Sequence, residues 1–281
     1  MSSKLSIITI NYNNVQGLKK TMESVFCQIS KDFEYIVIDG GSIDKSVEII
    51  QQFNSRWLSG SSIPKFIWIS ENDTGIYNAM NKGIRMAKGE YVQFLNSGDT
   101  LVDSDVTEKM LSKVLDTPIY YGNKIKIFPD GRILYNKEIP NISMLTFFTG
   151  TLNHATAYIK KDLFEKYGYY DENFKIVSDW KFYLIAVGLN NETVKYIDVD
   201  LVYFDMSGIS STNTTLTKEE RRKVLTELLP ASILKDYERW SFPISQIKRI
   251  NRYWLTRKGF WLVERMLFKW EKWFKYKDQI F

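Results

Sequence analysis

The sequence predicts an α/β protein in which a mostly parallel central sheet is flanked by helices. Short apolar runs typical of buried strands alternate with segments whose apolar residues recur at helical spacing. Polar residues, several of them acidic, follow each of the first four strand-like runs. Alternation of strands and helices favours parallel strands with helices on both faces of the sheet. Because ligands of such sheets bind beyond the carboxyl ends of the strands, these polar residues are candidates for a functional site.

The first 95 residues contain four predicted strands and three predicted helices. The strands are Lys4–Ile10, Phe33–Asp39, Lys65–Ser70 and Glu90–Leu95, and the helices are Gly17–Ile29, Asp44–Phe53 and Ile76–Ala87. We expect Asp44 to cap the second helix, since an Asp side chain accepts hydrogen bonds from the free amides at a helix start. The later chain is less regular, and its predicted features are a turn at Pro129-Asp130-Gly131, a helix over Ser178–Val187, a mobile polar loop over Ser207–Thr217, and helices over Lys218–Leu229 and from Ser245 onward.

Length and composition are those of a soluble globular protein. The 281 residues suffice for one large α/β domain with an appendage, and 44% of them are hydrophobic and 25% charged. Cys27 is the single cysteine, which excludes an intrachain disulfide and a cysteine-based zinc site. The first apolar run lacks a preceding basic segment, and no stretch of about 18 uncharged apolar residues occurs, so neither a signal peptide nor a transmembrane helix is expected. These features predict a cytoplasmic protein.

The basic character of the chain is concentrated near its C-terminus. The net charge is +5, and the segment from Ser245 onward holds ten Lys or Arg and three Asp or Glu, so this segment carries +7 and the rest −2. Aromatic residues are interleaved with these cations, and Trp254, Trp261 and Phe268 recur every seven residues. Trp with Lys and Arg is typical of a helix at a membrane interface, so we expect the tail to bind an anionic membrane surface. The alternative is a helix that packs on the domain.

The polar residues at the four strand ends form the strongest local signal. They are Asn11-Tyr12-Asn13, Asp39-Gly40-Gly41-Ser42, Glu71-Asn72-Asp73 and Asn96-Ser97-Gly98-Asp99. A single Asp after a strand is more often a turn former or a helix cap than a ligand-binding residue. Acidic residues at corresponding points of one sheet edge are harder to explain as turn formers, and they predict a binding site.

Four segments of the chain resemble glycosyltransferase family 2, which has the GT-A fold. They are IITINYNN (7–14), YIVIDGGSIDKS (35–46), SENDTGIYNAMNKGIRMAKGEYVQFLNSGD (70–99) and SDW (178–180), and they span about the first two-thirds of the chain. The resemblance is to the branch that builds bacterial capsule, exopolysaccharide and O-antigen chains. It implies a Rossmann-like GT-A domain over residues 1–217 and a helical, basic and aromatic extension over residues 218–281. It also implies inverting transfer of a sugar from a UDP-sugar to a saccharide acceptor, lipid-linked and reached from the inner face of the cell membrane.

The resemblance assigns a role to individual residues. Those matching the family's nucleotide-binding positions are Thr9, Asn11, Tyr12, Asp39, Asp73, Asn81, Lys82, Ser97 and Gly98. Asp99 matches the metal-binding acid of an Asp-x-Asp motif, although Asn96 and Gly98 stand where many members have acids. One or two carboxylates can hold Mg²⁺ or Mn²⁺ when a diphosphate and waters supply the other ligands, so a divalent cation is the expected cofactor.

Asp179 and His154 are the remaining candidates for the chemistry. The resemblance makes Asp179 the catalytic base, which would take the proton of the acceptor hydroxyl. The structural alternative is an acidic residue that only favours the start of a helix. His154 is the single histidine. Two alternatives have equal weight for it, a role near the acceptor or diphosphate and a structural role. The segment Ser207-Gly208-Ile209-Ser210 is a candidate lid over the donor, or else an ordinary linker.

Two other classes of protein stay open. A nucleotidyltransferase would carry a Gly-rich phosphate loop with a basic residue after the first strand, where this chain has Asn11-Tyr12-Asn13-Asn14. A catalytically inactive binding or scaffolding protein would keep the fold, and the incomplete metal motif favours it, whereas the retained Asp99 and Asp179 argue against it. The chain contains no recognised nucleic-acid-binding module, so nucleic acid is not an expected partner.

Overall fold

The structure, a computed structural model, describes residues 3–58, 64–113, 116–138, 140–251 and 254–277. Its strands form one mixed sheet. They are β1 (Leu5–Asn11), β2 (Phe33–Asp39), β3 (Phe66–Ser70), β4 (Tyr91–Phe94), β5 (Thr100–Leu101), β6 (Ile119–Ile127), β7 (Ile133–Asn136), β8 (Ala157–Lys160) and β9 (Val194–Asp205). The strand order is β3-β2-β1-β4-β8-β6-β9-β5, with β7 paired to β6 beside this path.

The helices cover the sheet in the first half of the chain and dominate its last quarter. They are α1 (Val15–Phe26), α2 (Ser46–Leu58), α3 (Ile76–Met86), α4 (Val106–Leu111), α5 (Met144–Thr149), α6 (Asp162–Tyr167), α7 (Ser178–Tyr183), α8 (Ile209–Thr212), α9 (Thr214–Leu228), α10 (Ala231–Asn251) and α11 (Trp254–Lys277). A 3₁₀ turn covers His154–Thr156, and a π-helical segment, Leu184–Leu189, continues α7.

Strands β1 to β4 form the expected parallel half of the sheet. Every residue of β1, β2 and β4 is buried, as expected for parallel strands covered on both faces, which is why these strands read as nearly continuous apolar runs. Helix α1 packs Leu18, Met22 and Val25 into the same core as Ile7 and Val37. Apolar burial of this kind holds the four strand ends at one edge, where the polar residues meet.

The second half of the sheet contains antiparallel strand pairs. They lie in the part of the chain where the sequence pattern is irregular. Strand β8 pairs antiparallel with both β4 and β6, and β6 in turn pairs parallel with β9. The predicted turn at Pro129-Asp130-Gly131 joins β6 to β7 as an antiparallel hairpin. The amide of Gly131 donates to the carbonyl of Phe128 at 2.9 Å, which closes this turn.

Two local predictions can be compared with the observed elements. Asp44 accepts from the amide of Ser46 at 2.9 Å, so it does stabilise the start of α2, and its second oxygen accepts from the amide of Val15 at the start of α1. The segment Ser207–Thr217, predicted as a loop, is largely helical because it contains α8 and the first turn of α9. Asn213 separates the two helices and caps α9 by accepting from the amide of Leu216 at 3.1 Å.

The chain divides into two compact units, residues 1–225 and 226–281. The division falls within α9. The second unit contains α10 and α11, and every side chain described from Lys258 to Lys269 is exposed. Among the residues that the structure describes, no helix is both long and apolar enough to cross a membrane.

Candidate active site

Two adjoining cavities lie at the edge of the sheet where β1 to β4 end. The first cavity has a volume of about 790 Å³, and its walls include Asn11, Tyr12 and Asp73. The second cavity has a volume of about 530 Å³, and its walls include Asp99, His154, Asp179, Asp205, Lys126 and Arg221. Asn14, Ile76, Asn96, Ser97 and Gly208 line both cavities, so these residues mark the junction. The two cavities therefore adjoin each other, and each is lined by some of the site residues predicted from the sequence.

Asp39 is the centre of a hydrogen-bonded network beneath the first cavity. Its side chain is fully buried, and its two oxygens accept from Asn11 Nδ2 at 2.8 Å, from Ser70 Oγ at 2.7 Å, and from the amide and hydroxyl of Ser42 at 2.9 and 2.6 Å. Burial alone would raise the pKa of Asp39, but these hydrogen bonds outweigh it and lower the pKa. Asp39 thus remains ionised and orients Asn11, whose Oδ1 accepts from Ser97 Oγ at 2.6 Å.

Asp73 faces the first cavity from the loop between β3 and α3. Its Oδ1 accepts from the amide of Gly75 at 3.0 Å. A Cβ atom at Gly40 would come within 2.4 Å of the other oxygen, so a larger residue at this position would displace the Asp73 side chain. Burial raises the pKa of Asp73, partly opposed by the Gly75 amide and by Lys82. The carboxyl group is therefore placed to accept a hydrogen bond from a ligand in this cavity.

The other residues predicted to bind the nucleotide differ in their access to the cavity. Tyr12 is 67% exposed and lines it. Thr9 is fully buried and bonds Tyr35 and the carbonyl of Leu95. Asn81 is also buried, and its side chain bonds the backbone of residue 170 and the carboxylate of residue 172. Lys82 forms an ion pair with Glu71 at 2.8 Å. The structure thus brings Asn11, Tyr12, Asp73 and Ser97 to the cavity wall and puts Thr9, Asn81 and Lys82 behind it.

Asp99 lies against Asp205 at the end of β9. The amide of Asp205 donates to Asp99 Oδ1 at 2.9 Å, and Gly98, with a φ of +111°, allows the contact because a Cβ atom there would lie 2.8 Å from Asp205 Oδ2. Burial raises the pKa of Asp99 to about 7, and the neighbouring carboxylate adds to this, while the Asp205 amide and His154 oppose it. A buried carboxylate with so few donors gains strongly from a cation.

His154 connects the Asp99 loop to the candidate base. Its Nδ1 lies 2.9 Å from Asp179 Oδ2, and its Nε2 lies 3.1 Å from Asn96 Nδ2. Burial would lower the pKa of His154, but the hydrogen bond and charge of Asp179, together with the charge of Asp99, raise it overall. The proton on Nδ1 faces Asp179, whose other oxygen accepts from the Tyr77 hydroxyl at 3.0 Å. His154 and Tyr77 therefore fix the orientation of the Asp179 carboxylate.

The residues around Asp99 fit a hard divalent cation. Within the described ranges no group of three or more His, Cys, Asp or Glu could hold a metal ion by itself. Asp99 and Asp205 nevertheless supply two neighbouring carboxylates, and Asn96 Oδ1 is a buried oxygen for which the described part of the chain offers no hydrogen-bond partner. Carboxylate and amide oxygens are the ligands that Mg²⁺ and Mn²⁺ prefer, with the remaining positions taken by substrate phosphates and water. This set fits a cation that binds together with a diphosphate.

Several functional side chains escaped prediction from the sequence. Asp205 ends a strand, as Asp39 does, but its partner strand could not be identified from the pattern. Glu220 and Arg221 belong to α9, where a charged pair reads as a solvated helix face. Glu220 instead accepts from the amides of residues 175, 176 and 177 at 2.8, 3.0 and 3.2 Å, directly before α7. Arg221 lies over the ring of Trp180, 5.0 Å from its centroid.

The chain is similar in sequence to known glycosyltransferases. The family described as Glycosyl transferase family 2 matches residues 6–171. An uncharacterized glycosyltransferase of Mycobacterium tuberculosis is 32% identical over 215 residues, which cover 74% of this chain and 77% of that protein. A PGL/p-HBAD biosynthesis glycosyltransferase of Mycobacterium bovis is 25% identical over 261 residues, 90% of this chain and 98% of that protein.

The fold is similar to that of two solved enzymes. Staphylococcus aureus TarS 1-349, crystallised with UDP-GlcNAc, matches with a TM-score of 0.61 and 21% identity over 79% of this chain. The mannosyltransferase PcManGT of Pyrobaculum calidifontis, in complex with GDP-Man and Mn²⁺, matches with a TM-score of 0.58 and 12% identity over 79% of this chain. The match spans 64% of the TarS chain and 61% of the PcManGT chain. At these identities the likeness concerns the fold, and the GT-A architecture expected from the sequence is confirmed.

Proposed function

Because the chain belongs to glycosyltransferase family 2, we propose that it transfers a sugar from a UDP-sugar to a saccharide acceptor, with inversion at the anomeric carbon. The observation that carries this proposal is that Asp99 and Asp179 line one cavity, and that His154 interacts with both. The presence of UDP-GlcNAc in the TarS crystal and of GDP-Man in the PcManGT complex supports a nucleotide diphosphate sugar as donor.

The nucleoside of the donor occupies the first cavity. Asn11, oriented by Asp39, and Asp73 offer polar atoms to the base and ribose, and the exposed ring of Tyr12 offers a stacking surface. The diphosphate lies at the junction of the two cavities, near Ser97 and Gly208, so that the sugar reaches the second cavity.

Asp179 acts as the base that deprotonates the acceptor hydroxyl. A carboxylate offers about four lone-pair positions. Three of them on Asp179 accept from Tyr77, His154 and its neighbour's amide, at 3.0, 2.9 and 2.9 Å, which leaves one position open for the acceptor hydroxyl. Because these donors hold the carboxylate in one orientation, the acceptor oxygen is directed at the anomeric carbon from the side opposite the leaving group.

The leaving diphosphate requires positive charge. A divalent cation supplies that charge when it is bound, and Asp99, Asp205 and Asn96 Oδ1 would hold it. Without the cation, the two neighbouring carboxylates would repel the diphosphate. The pKa of Asp99 is raised chiefly by burial, and the charge of Asp205 adds to this, so a bound cation would favour the ionised form.

The acceptor is proposed to be lipid-linked and part of a bacterial surface polysaccharide. The family branch suggested by the sequence supports this, as does the exposure of Trp261 and Phe268 on α11, at 60% and 59%. In this proposal residues 1–217 form the catalytic domain, and the remaining helices hold the enzyme peripherally on the cytoplasmic face of the membrane.

A panel of nucleotide sugars tests the proposal. We would incubate the protein with UDP-sugars and GDP-sugars in the presence of Mn²⁺ and measure the nucleotide released, with and without saccharide acceptors. Release of UDP from at least one donor, lost in Asp179→Asn, is the expected result. Binding of a nucleotide sugar without turnover would favour an inactive scaffold, and release of pyrophosphate from a nucleoside triphosphate would favour a nucleotidyltransferase.

A further inference from the structure

The second cavity contains a lysine without a counter-ion among the described residues. Lys126 lies on β6 and lines this cavity, two residues after Lys124 and on the same face of the strand. Lys124 is paired with Glu138 at 2.7 Å, and both side chains are largely buried. Burial lowers the pKa of Lys126, and the charge of Lys124 lowers it further, with Glu138 opposing them. An ammonium group in this situation is stabilised if an anion binds beside it.

Arg221 adds a second cation to the wall of the same cavity. Its Nε atom is buried and has no hydrogen-bond partner within the described part of the chain. Burial lowers the pKa of Arg221, and the charge of Asp179 opposes this. The oxygens of the adjacent Glu220 accept backbone amides directly before α7, and within the described ranges Glu220 forms no ion pair with Arg221. The guanidinium therefore retains hydrogen-bond donors for a ligand of the cavity.

The position of Lys126 in the sheet separates it from the nucleotide. The path from β1 to β6 runs through β4 and β8, which amounts to three strand spacings, or about 14 Å. Lys126 pairs in register with Phe204, whose ring lies 6.4 Å from that of His154. Lys126 thus lies on the side of the cavity lined by His154 and Asp205, three strands away from the end of β1 where the nucleoside is proposed to bind.

We propose that Lys126 and Arg221 form an anion subsite for the acceptor, and that this subsite takes a phosphate group carried by the acceptor. The inference rests on the proposed function, because it assigns the second cavity to the acceptor. Phosphate is favoured over a neutral sugar because it provides charge-assisted hydrogen bonds to both cations. Asp179 acts on Arg221 through its charge, whereas no carboxylate among the described residues forms an ion pair with Lys126, so the subsite depends chiefly on Lys126.

The hairpin beside Lys126 indicates what kind of molecule carries the phosphate group. Leu134 of β7 pairs directly with Lys126. Leu134 is 49% exposed, and its neighbours Ile133 and Tyr135 are 54% and 70% exposed. An apolar strand next to a phosphate subsite suits a phosphate that is attached to a lipid, whereas a soluble sugar phosphate would use the cations alone. A phosphate from either source would bind Lys126 in the same way, but only a lipid-linked phosphate would also contact the apolar side chains of β7.

Calorimetry with glucose and glucose 1-phosphate tests the subsite without knowledge of the natural acceptor. Both ligands are titrated into the full-length protein, with and without UDP and Mn²⁺. We expect glucose 1-phosphate to bind at least about tenfold more tightly than glucose, in line with a charge-assisted hydrogen bond. Lys126→Met should remove this preference and Lys126→Arg should retain it. Lys137→Met, at an exposed lysine paired with residue 198, should leave the preference intact and is the matched control.

The outcomes separate this inference from the proposed function. Equal binding of the two ligands, or an unchanged preference in a folded Lys126→Met variant, would overturn the subsite. Failure of UDP to bind would overturn the proposed function, while the phosphate preference measured without UDP would still decide the subsite. A detergent-solubilised prenyl-phosphate sugar identifies the source. Tighter binding than glucose 1-phosphate, reduced by Leu134→Ser, assigns a lipid-linked phosphate, and equal binding assigns a soluble sugar phosphate.

Discussion

His154 Nδ1 lies 2.9 Å from Asp179 Oδ2, so the single histidine of the chain and the candidate base form one hydrogen-bonded pair. The imidazole also lies 3.1 Å from Asn96 Nδ2, at the edge of the Asp99 loop. The pair therefore joins the part of the site that would remove a proton to the part that would hold the leaving group. This connection explains why one buried histidine is kept between two acidic groups.

Asp179→Asn should lower kcat by at least about a hundredfold, since a positioned general base contributes roughly 10²–10⁴-fold to the rate. The amide keeps the shape of the side chain but cannot take the acceptor proton. UDP affinity, measured by calorimetry, should change little because Asp179 lines only the second cavity. Asp130→Asn, at an exposed turn, is the control. A near-normal kcat in Asp179→Asn would exclude this residue as the base, and lost UDP binding would indicate a structural role.

Glu220→Gln should reduce kcat by about tenfold or more, because the substitution should displace α7 and with it Asp179. The carboxylate accepts from three consecutive amides before the helix that bears Asp179, and a Gln side chain has only one acceptor oxygen. Each lost bond to a charged acceptor costs about 1.5–3 kcal/mol, so the thermal midpoint should fall as well. Glu219→Gln is the matched control because Glu219 is an exposed neighbour on the same helix. Equal behaviour of the two variants would contradict a positioning role for Glu220.

Removal of the divalent cation should abolish turnover. Asp99 and Asp205 place two carboxylates where the leaving diphosphate is proposed to lie, so excess EDTA should stop UDP release, and added Mn²⁺ or Mg²⁺ should restore it. Asp99→Ala should lose activity even in excess metal. Full activity of the wild-type protein in excess EDTA would exclude a metal-dependent mechanism.

The titration of Asp99 predicts how stability depends on pH. The pKa of Asp99 is about 7 in the folded protein, whereas the usual value for an Asp side chain is 3.8. The folded protein therefore binds the carboxyl proton of Asp99 more tightly than the unfolded chain does. The free energy of unfolding therefore falls as the pH rises from about 4 through 7. Asp99→Asn removes this pH-dependent loss of stability, and the Asn side chain keeps an oxygen that can accept from the Asp205 amide. Without metal at pH 8 the variant should be more stable than wild type, by up to about 4 kcal/mol.

Urea unfolding of both proteins in EDTA, at pH 5 and pH 8, measures this difference. The advantage of Asp99→Asn should be larger at pH 8 than at pH 5, where wild-type Asp99 is still protonated in the fold. Asp130→Asn is again the control, because Asp130 is exposed and its pKa is lowered by its hydrogen bonds with Arg132. An advantage that is equal at the two pH values would show that Asp99 is ionised in the fold without metal.

The contrast between Asp39 and Asp99 shows how far the sequence predicts this site. Each lies in a polar stretch that follows a strand, and the pattern identifies both as site residues. Their pKa values nevertheless shift in opposite directions, because Asp39 accepts four hydrogen bonds and the Asp99 carboxylate is deeply buried beside Asp205. Local periodicity predicts strands and their ends, but it does not reveal how many donors converge on a buried carboxylate.

Long-range strand pairing explains the rest of what the sequence could not predict. Strand β8 inserts between β4 and β6, and β9 then pairs with β6, which brings Asp205 beside Gly98 across more than a hundred residues of sequence. The same pairing places Lys126 in the second cavity. Neither position has a local signal, because both lie in strands whose neighbours are distant in the chain. The regular first half, by contrast, pairs neighbouring strands that the alternating pattern identifies.

The basic tail should bring the enzyme to anionic membranes. The motivation is its charge of +7 against −2 for the rest of the chain, with aromatic residues among the cations. Trp261 and Phe268 are exposed on α11, so they are available to enter the headgroup region. Arg265 and Lys269, which lie beside them, would meet lipid phosphates. Each cation near such a surface contributes about 1 kcal/mol, and the attraction is screened over about 8 Å at physiological salt. Binding should therefore weaken, but not vanish, as salt is added.

Co-sedimentation of the full-length protein with vesicles of graded anionic lipid content measures this binding. Arg265→Gln combined with Lys269→Gln should reduce the bound fraction at low salt, and Trp261→Ser combined with Phe268→Ser should reduce the fraction that resists high salt. Lys109→Gln, at an exposed lysine paired with Asp105 on α4, is the control and should bind as wild type does. Because the two double variants remove different contributions, their salt profiles should differ in shape. If the wild-type protein ignores anionic vesicles, or if neither double variant changes the bound fraction, α11 is a packing element rather than a membrane anchor.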